Sequence, residues 1–359
     1  VVLFSHDDMT PGTGDVRQIL NKQASAKTAS QVFQSNWSGR AEIGLAGDDD
    51  LHVKVSADGS IWREAIVVDA ATGVVSLPST PLAAPNLLVN GDFQVNQRGF
   101  AGGTLAANAY GHDRWKALGG AASLSLAGFV VTLASGTIAQ VVEPALWGLG
   151  DFASDTVTVS VENPSADMTV SFGSASATLA AGSGRRSVRL DLTAGDTGAL
   201  ALSLASVAGP VSFGRAKLEL GGHPTPWGPR DLAAELVLCQ RYFAKSMRLA
   251  TTPADGLAGA TDGAHTPAAA TSTTVLATPF IAFPNRMRAV PALTFYKATQ
   301  GTTAARWAYF TTAWASFASM ATLTVSETGF VATGTAASAV FVARSDYTVI
   351  GGWTANAEL

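Results

Sequence analysis

The chain of 359 residues is poor in charged side chains. Asp, Glu, Lys and Arg make up 14% of it, whereas an average globular protein has about 25%. Disordered chains combine high charge with little hydrophobicity, so this composition indicates a folded protein. The formal net charge is −4, which leaves no broad basic surface for the backbone of a nucleic acid. We therefore expect a folded protein that binds no nucleic acid.

Cysteine and long apolar runs are also scarce. The single cysteine, Cys239, excludes an internal disulfide and a cysteine-rich metal site. Its neighbours Leu236, Val237 and Leu238 predict that it is a small buried side chain. The sequence has no stretch of 18 apolar residues and no signal-peptide pattern, so we expect no membrane insertion. The chain begins at Val1 rather than Met, which indicates a fragment or a processed product.

The motifs of common enzyme families are absent. The sequence has no G-x-S-x-G, no H-E-x-x-H and no P-loop, and its histidines form no i, i+4 pair. A glycosidase needs two paired carboxylates. Asp113, Glu143, Asp151 and Glu162 are separate acids, and their spacing does not pair them. We expect no catalytic residue and no cofactor, and we keep a depolymerase of the glycosidase type as an alternative.

Two acidic segments invite interpretation as metal sites. His6 to Met9 reads HDDM, and Asp48, Asp49 and Asp50 follow one another in a turn. Neighbouring side chains in a row do not all converge on one ion, and the spacing and terminal Glu of an EF-hand are missing. A solvated linker and an ordinary turn are the simpler interpretations, so no metal is predicted.

What the chain does have is a repeated pattern of short strands. Apolar and polar residues alternate over much of its length, and turn residues separate the runs. The pattern predicts an all-β fold with an N-terminal β-meander, a central antiparallel β-sandwich (jelly roll), a short linking α-helix and a C-terminal β-sandwich. The predicted limits of these four parts are 1–80, 86–228, 229–245 and 246–359. A Pro/Ala linker, Leu77 to Pro85, separates the first part from the second.

The first part is too small to bury much surface by itself. The strand LHVKVS (51–56), the turn ADGS (57–60) and the strand IWREAIVVD (61–69) are typical of a meander. A unit of this size is marginally stable when alone. We therefore expect it to need partner chains.

The central part contains seven runs with strand character. They are predicted at 129–133, 138–142, 156–161, 168–172, 187–192, 199–204 and 211–220. The stretch NLLVNGDF (86–93) is predicted to open the sandwich as a strand, with a turn at Asn90 to Asp92, and AKLELG (216–221) is predicted to close it.

The predicted helix and the last part complete the chain. Asp231 and Glu235 lie in the first turns of the helix, where the helix dipole favours acids. The apolar face is predicted to contain Leu232, Leu236, Cys239 and Phe243. Thr251 to Thr274 is predicted as an extended loop, and the strands that follow it end in a terminal strand within 346–359.

Aromatic residues are the main functional signal, because sugar rings stack on exposed aromatic faces while polar neighbours bind the hydroxyls. Two clusters combine both kinds of group, and burial in the core is the open alternative for each. The glycan-binding candidates of the first cluster are Tyr110, His112, Asp113, Arg114 and Trp115. Those of the second are Arg306, Trp307, Tyr309 and Trp314.

Several long segments resemble bacteriophage tail fibres. NLLVNGDFQVNQRGF followed by YGHDRW (86–115), and AKLELGGHPTPWGPRDLAAELVLCQRYF (216–243), are similar to segments common in these fibres. Trp227 stands where Phe is common, and Gly228 where an acid is common. The stretch LNKQASAKTASQVFQSNWSGRAEIGLAGDDDLHVKVSADGSIW (20–62) resembles fibre segments of prophages and gene transfer agents. The sandwich is also similar to jelly-roll carbohydrate-binding modules.

The resemblance implies a homotrimeric, receptor-binding fibre or spike. Such a fibre sits on the tail of a virion or phage-like particle, outside the cell after release, together with other tail or baseplate proteins. It attaches the particle to capsular or other surface polysaccharide. The related modules often hold a structural calcium through an acid in the last strand, but Lys217 stands near that position here. A fibre shaft or connector without its own ligand is the structural alternative to receptor binding.

Overall fold

The protein divides into two compact units. The computed structural model describes residues 15–79, 83–258 and 264–359. Unit 1 is Val1–Ala83 and unit 2 is Ala84–Leu359. The division falls inside Leu77 to Pro85, the segment that the sequence predicts to be a linker. The candidate metal segment His6 to Met9 lies outside the described residues.

Unit 1 is a five-stranded antiparallel meander, as predicted. Its strands are β1 (Thr28–Ser35), β2 (Ser38–Ala46), β3 (Leu51–Ser56), β4 (Trp62–Val68) and β5 (Val75–Ser76). Each strand pairs with the next one along the chain. Asp58 holds the turn between β3 and β4, because its Oδ1 accepts hydrogen bonds from the backbone N–H groups of Ser60 and Ile61, both at 2.8 Å.

Unit 2 begins with a two-sheet antiparallel sandwich. Its strands are β6 (Gly103–Leu105), β7 (Lys116–Ala117), β8 (Ala122–Ala127), β9 (Val130–Ser135), β10 (Thr137–Val142), β11 (Thr156–Glu162), β12 (Met168–Phe172), β13 (Ala175–Leu179), β14 (Arg185–Asp191), β15 (Leu200–Ser206) and β16 (Val211–Leu220). One sheet has the order β13-β12-β15-β10-β7 and the other β14-β11-β16-β9-β8-β6. All seven predicted strands are present, with ends shifted by at most two residues.

The core of the sandwich lies between these two sheets. The period-two residues Val157, Val159 and Val161 of β11 are fully buried, and so are Leu202 and Leu204 of β15. A short 3-10 helix connects β10 to β11. The strict alternation of apolar and polar residues in these strands therefore predicts correctly which side chains face the core.

The opening stretch 86–93 is not a strand, contrary to the prediction. It is a buried loop that makes two backbone hydrogen bonds to β16, from the Leu87 N–H to the Leu218 carbonyl and from the Ala216 N–H to the Gly91 carbonyl. Several of its other backbone groups bond to side chains. The Asn90 side chain donates to the Val95 carbonyl at 2.8 Å. Gln140 accepts from the Val89 N–H and donates to the Val89 carbonyl, each at 2.7 Å. These amide contacts hold the loop across the sandwich, since a buried backbone needs partners for its N–H and C=O groups.

The helix α1 (Leu232–Gln240) is shorter than the predicted 229–245. Asp231 is its N-cap and accepts from the Ala233 N–H at 2.7 Å, which fixes where the helix begins. It ends before Phe243, because the chain there enters a strand. Among the described residues, no helix has the length and apolar character needed to cross a membrane.

The predicted apolar face of the helix is only partly correct. Cys239 is buried, as predicted, and packs with Val89 and Val95. Leu232 is exposed, and the buried position one turn along is occupied by Glu235. Glu235 faces inward because it pairs with Arg230 at 3.0 Å.

The rest of unit 2 is a ten-stranded sheet. Its strands are β17 (Phe243–Lys245), β18 (Ala264–Ala270), β19 (Val275–Ala277), β20 (Ile281–Ala282), β21 (Ala292–Lys297), β22 (Ala308–Phe310), β23 (Trp314–Ser316), β24 (Ser319–Val325), β25 (Gly329–Thr335) and β26 (Asp346–Asn356). The prediction of a loop over Thr251 to Thr274 is wrong where the chain forms β18. Residues 259–263 of that predicted loop lie outside the described residues. The predicted last strand is confirmed as β26, which pairs with β17, β18, β21 and β22.

Two glycines in β26 allow large side chains to reach the backbone. A Cβ on Gly351 would lie 2.0 Å from Cδ1 of Trp307, and a Cβ on Gly352 would lie 2.4 Å from a methyl of Leu257. The Trp307 Nε1–H donates to the Gly352 carbonyl at 2.9 Å. The indole of Trp307 therefore packs directly against the backbone of β26, at a place where only glycine fits.

We expect Gly351→Ala to destabilise unit 2 by about 1–3 kcal/mol, because the new methyl overlaps a rigid ring in a packed core. The matched control is Gly150→Ala, where a Cβ meets nothing within 4 Å. We expect the control to change the free energy of unfolding by no more than about 0.5 kcal/mol. Denaturant unfolding of both variants checks this, and equal stability of the two would contradict the packing described.

Candidate functional site

The first predicted glycan cluster is buried inside unit 2. Trp115 is 1% exposed, and its ring stacks on Phe93 with 4.6 Å between centroids and 19° between planes. Its Nε1–H donates to the Asn90 carbonyl at 2.9 Å. Neither the ring nor the N–H of Trp115 is open to a sugar. The structural alternative, a tryptophan in the core of the sandwich, is what the geometry supports.

The polar members of this cluster are used within the fold. Asp113 accepts from the backbone N–H of Gln97 at 2.5 Å and from its side-chain amide at 2.9 Å. Arg114 pairs with Glu358 and lies over the ring of Tyr242, 3.5 Å from the centroid. These groups tie the loop at 110–115 to Gln97, to Tyr242 just after the helix and to Glu358 after β26.

His112 and Tyr110 complete this internal cluster. The ring of His112 packs edge-on against Phe93 and Phe100, at 6.0 and 5.7 Å. Burial lowers the pKa of His112 to about 4, so the ring is neutral at pH 7. Tyr110 is half-buried, and its hydroxyl donates to the carbonyl of Leu359 at 2.5 Å. Both ring nitrogens of His112 are buried without a hydrogen-bond partner. The enclosed rings, and the internal contacts of Tyr110, Asp113 and Arg114, correct the interpretation of residues 110–115 as a glycan surface.

The second predicted cluster is divided between two faces of a sheet. Trp307 and Tyr309 are buried, and Tyr309 packs between Phe317 and Phe341, with centroids 4.9 Å from each. These two residues are corrected to core positions. Arg306 is half-buried at the start of the segment. Trp314 is half-buried on the opposite, outer face.

Trp314 belongs to an aromatic surface that we call the Phe310–Trp314 platform, formed by Phe310, Trp314 and His265. Phe310 is 42% exposed and pairs directly across the sheet with Trp314, with 5.3 Å between ring centroids. His265 is exposed, and its ring lies 6.2 Å from that of Trp314. The three rings therefore lie together on one outer face, since paired residues point to the same side of a sheet.

An open cleft of about 390 Å³ lies beside the platform, within the range of roughly 300–1,000 Å³ typical of small-ligand sites. Its lining residues are Pro267, Phe310, Thr311, Asp346, Tyr347 and Thr348. The side chains of Asp346, Thr311 and Thr348 make no hydrogen bond or ion pair to any other residue that the structure describes. These hydroxyls and this carboxylate remain available to a polar ligand.

A small apolar cluster supports the platform from below. Ala298, Ala308 and Ile350 are fully buried, and Trp314 packs against them. A rigid aromatic ring on a packed base loses little conformational freedom when a ligand binds. The rings are tilted to one another, by 58° between Phe310 and Trp314 and by 69° between His265 and Trp314. Exposed ring faces beside unengaged hydroxyls and one carboxylate suit a sugar better than an apolar ligand.

Sequence reasoning identified Trp314 but missed Phe310, Asp346 and Thr348. For Phe310, the available signal was the alternation of side chains along β22. Trp307 and Tyr309 share one side of the strand, so Phe310 points to the other. The carboxylate and one hydroxyl of the cleft come from Asp346 and Thr348 of β26. Only the register that pairs Thr348 with Phe310 and with Pro267 brings them to the aromatic ring.

The candidate metal positions are occupied by ordinary contacts. Asp48 bonds His52 and Asp49 pairs with Lys22, at 2.7 and 2.8 Å. Near the position of the calcium-binding acid implied by the resemblance, Lys217 forms a fully buried ion pair with Glu219 at 2.9 Å. Within residues 15–79, 83–258 and 264–359 no group of three or more His, Cys, Asp or Glu residues is placed to hold a metal ion.

Comparison with known proteins adds no assignment to this site. No protein-family model matches the chain, and no curated protein is detectably similar to it. The chemistry of the Phe310–Trp314 platform therefore has to be inferred from its own geometry.

The buried carboxyl of Asp113 predicts a pH dependence of stability. Burial raises its pKa to about 6, although Arg98 and the Gln97 donors oppose the shift. A carboxyl whose pKa is higher in the folded state contributes stability that is full below its ordinary pKa of 3.8 and is lost as the pH rises through about 6. We expect Asp113→Asn to remove this decline in the free energy of unfolding of unit 2.

Denaturant unfolding between pH 4 and pH 7 measures the effect, with exposed Asp151→Asn as the control. The control should keep the slope of the unmodified protein. A slope that survives in Asp113→Asn would mean that another group is responsible.

Proposed function

We propose that this chain is the receptor-binding part of a tail fibre, and that it attaches a phage or a phage-like gene transfer particle to polysaccharide on a bacterial surface. In this proposal three copies of the chain form a homotrimer, which is joined to other tail or baseplate proteins of the particle. The particle and its fibres lie outside the cell after release. The resemblance of residues 86–115 and 216–243 to fibre segments supports the context of the proposal.

The Phe310–Trp314 platform is the single observation that carries the binding role. Phe310 keeps 42% of its surface exposed beside Trp314, at the edge of a cleft with unengaged hydroxyls. Its position at this cleft, and not its exposure alone, distinguishes it from more exposed rings such as Phe280. A sugar presents an apolar ring face and a rim of hydroxyls, and this surface offers a partner for each.

The low overall charge is consistent with a neutral or weakly charged glycan rather than a polyanion. The polar groups in the cleft include one carboxylate, Asp346, and no Lys or Arg side chain lines it. A carboxylate accepts hydrogen bonds from sugar hydroxyls and repels carboxylates and phosphates. We therefore infer that the ligand binds through its hydroxyls.

We expect Phe310→Ala and Trp314→Ala each to weaken polysaccharide binding at least tenfold, because truncating a central aromatic anchor costs roughly 2 kcal/mol or more. The full chain is first screened on an array of bacterial surface glycans. Titration calorimetry with the polysaccharide that binds then measures the dissociation constants of the variants.

The matched control is Phe280→Ala, since Phe280 is 52% exposed in the same unit but does not line the cleft. It should bind as the unmodified chain does. Binding that survives in both platform variants would place the ligand elsewhere. If no glycan binds while particles still carry this chain, a shaft or connector is the better assignment, and new reducing ends in purified capsule would indicate a depolymerase.

A further inference from the structure

The sheet of unit 1 has one apolar face and one polar face. Strand register sorts its residues unambiguously, because directly paired residues point to the same side. The apolar face consists of Ala29, Phe33, Ala41, Ile43, Leu45, Leu51, Val53, Val55, Ile66, Val68 and Val75. Gln31 and Arg63 are the polar residues on this side, on the outer strand β1 and at the start of β4.

The opposite face is built for contact with water. Ser30 donates to Glu42 at 2.6 Å, and Lys54 pairs with Glu64 at 3.2 Å. His52 bonds both Glu64 and Asp48; burial disfavours its charged form, but these hydrogen bonds outweigh burial and raise the pKa of His52. This network of satisfied polar groups leaves the apolar face as the one that needs a cover.

Unit 1 does not cover its own apolar face. Five residues of that face keep between 41% and 59% of their surface exposed, namely Phe33, Ile43, Leu51, Val55 and Val75. No hydrophobic side chain in residues 15–79 is buried. A sheet with one apolar face is stable only when another layer packs on that face.

We propose that the apolar face of unit 1 packs against the same face of other copies of this chain. Five strands about 4.8 Å apart and about 20 Å long give a face of roughly 400–500 Å². Two such faces bury on the order of 1,000 Å² together, which is the lower limit for a specific interface. Contiguous apolar patches larger than a few hundred Å² are uncommon on monomers.

A copy is the partner that fits the chemistry of this face. The face is almost free of charge, so it offers no ion pairs that would select a different, charged partner. Each further copy supplies an apolar surface of equal size and twist, and in the proposed homotrimer the three faces pack together around one axis. The proposal names the surface for the self-association within the proposed function, and it does not depend on glycan binding.

The test compares two valines of nearly equal exposure on opposite faces. Val55, on the apolar face, is 46% exposed, and Val32, on the polar face, is 48% exposed. In Val55→Glu the new charge lies opposite Arg63, and in Val32→Lys it lies opposite Glu42. Each substitution therefore has a cross-strand partner of opposite charge, and neither strains its own sheet.

Light scattering of the full chain at micromolar concentration gives the mass. We expect two or more copies for the unmodified chain and for Val32→Lys, and a single copy for Val55→Glu. Ile43→Thr keeps a β-branched residue at the centre of the face and should raise the dissociation constant at least tenfold. Circular dichroism checks that each variant keeps its strands.

A single-copy mass for the unmodified chain would overturn the proposal, and so would equal masses for Val55→Glu and Val32→Lys. Glycan binding by the same samples is measured in parallel. A monomer that still binds polysaccharide would refute the self-association face and leave the Phe310–Trp314 platform in place. A multimer that binds no glycan would refute the Phe310–Trp314 platform as a glycan site and leave the self-association face in place.

Discussion

Buried charges need partners, and this requirement organises unit 2. Arg114 is almost wholly enclosed and pairs with Glu358. Lys217 and Glu219 are fully enclosed and pair with each other. Removing one member of such a pair leaves an unpaired charge in the interior, which costs about 3–5 kcal/mol. The Arg114–Glu358 pair therefore fixes the residues after β26 against the loop at 110–115. It joins the two β-structures of unit 2, each of which keeps its own hydrophobic core.

The same requirement explains why the most suggestive sequence cluster is not a surface. An aromatic ring beside His, Asp and Arg has the composition of a sugar site, but it also has the composition of a polar cluster enclosed in a core. Composition alone does not separate the two, because each polar group can be satisfied either by ligand or by protein. In this fold Gln97 donates to Asp113 and Glu358 pairs with Arg114, and Glu358 lies 244 residues away from Arg114 along the sequence.

The sequence was sufficient for elements whose identity depends on local alternation. Strands β11, β14 and β15 follow directly from their period-two patterns, and the meander of unit 1 follows from its turns. The sequence was insufficient where long-range contacts determine the local structure.

The stretch 86–93 has the composition of a strand, but Gln140 binds its backbone and holds it as a loop. The helix was predicted too long because the pairing of Phe243 with Asn356 is not visible locally. Trp314 was identified from its residue type, whereas Asp346 and Thr348 needed the register of the sheet.

The central position of β26 has a consequence for how the protein is made. Four strands, β17, β18, β21 and β22, pair with β26, and all four precede it along the chain. During synthesis these strands leave the ribosome before their common partner exists. The sheet therefore closes only after residues 346–356 have emerged, and until then several unpaired strand edges are exposed together. Contacts over such long sequence separations fold slowly, so during that interval the nascent chain is most open to pairing with the wrong neighbour.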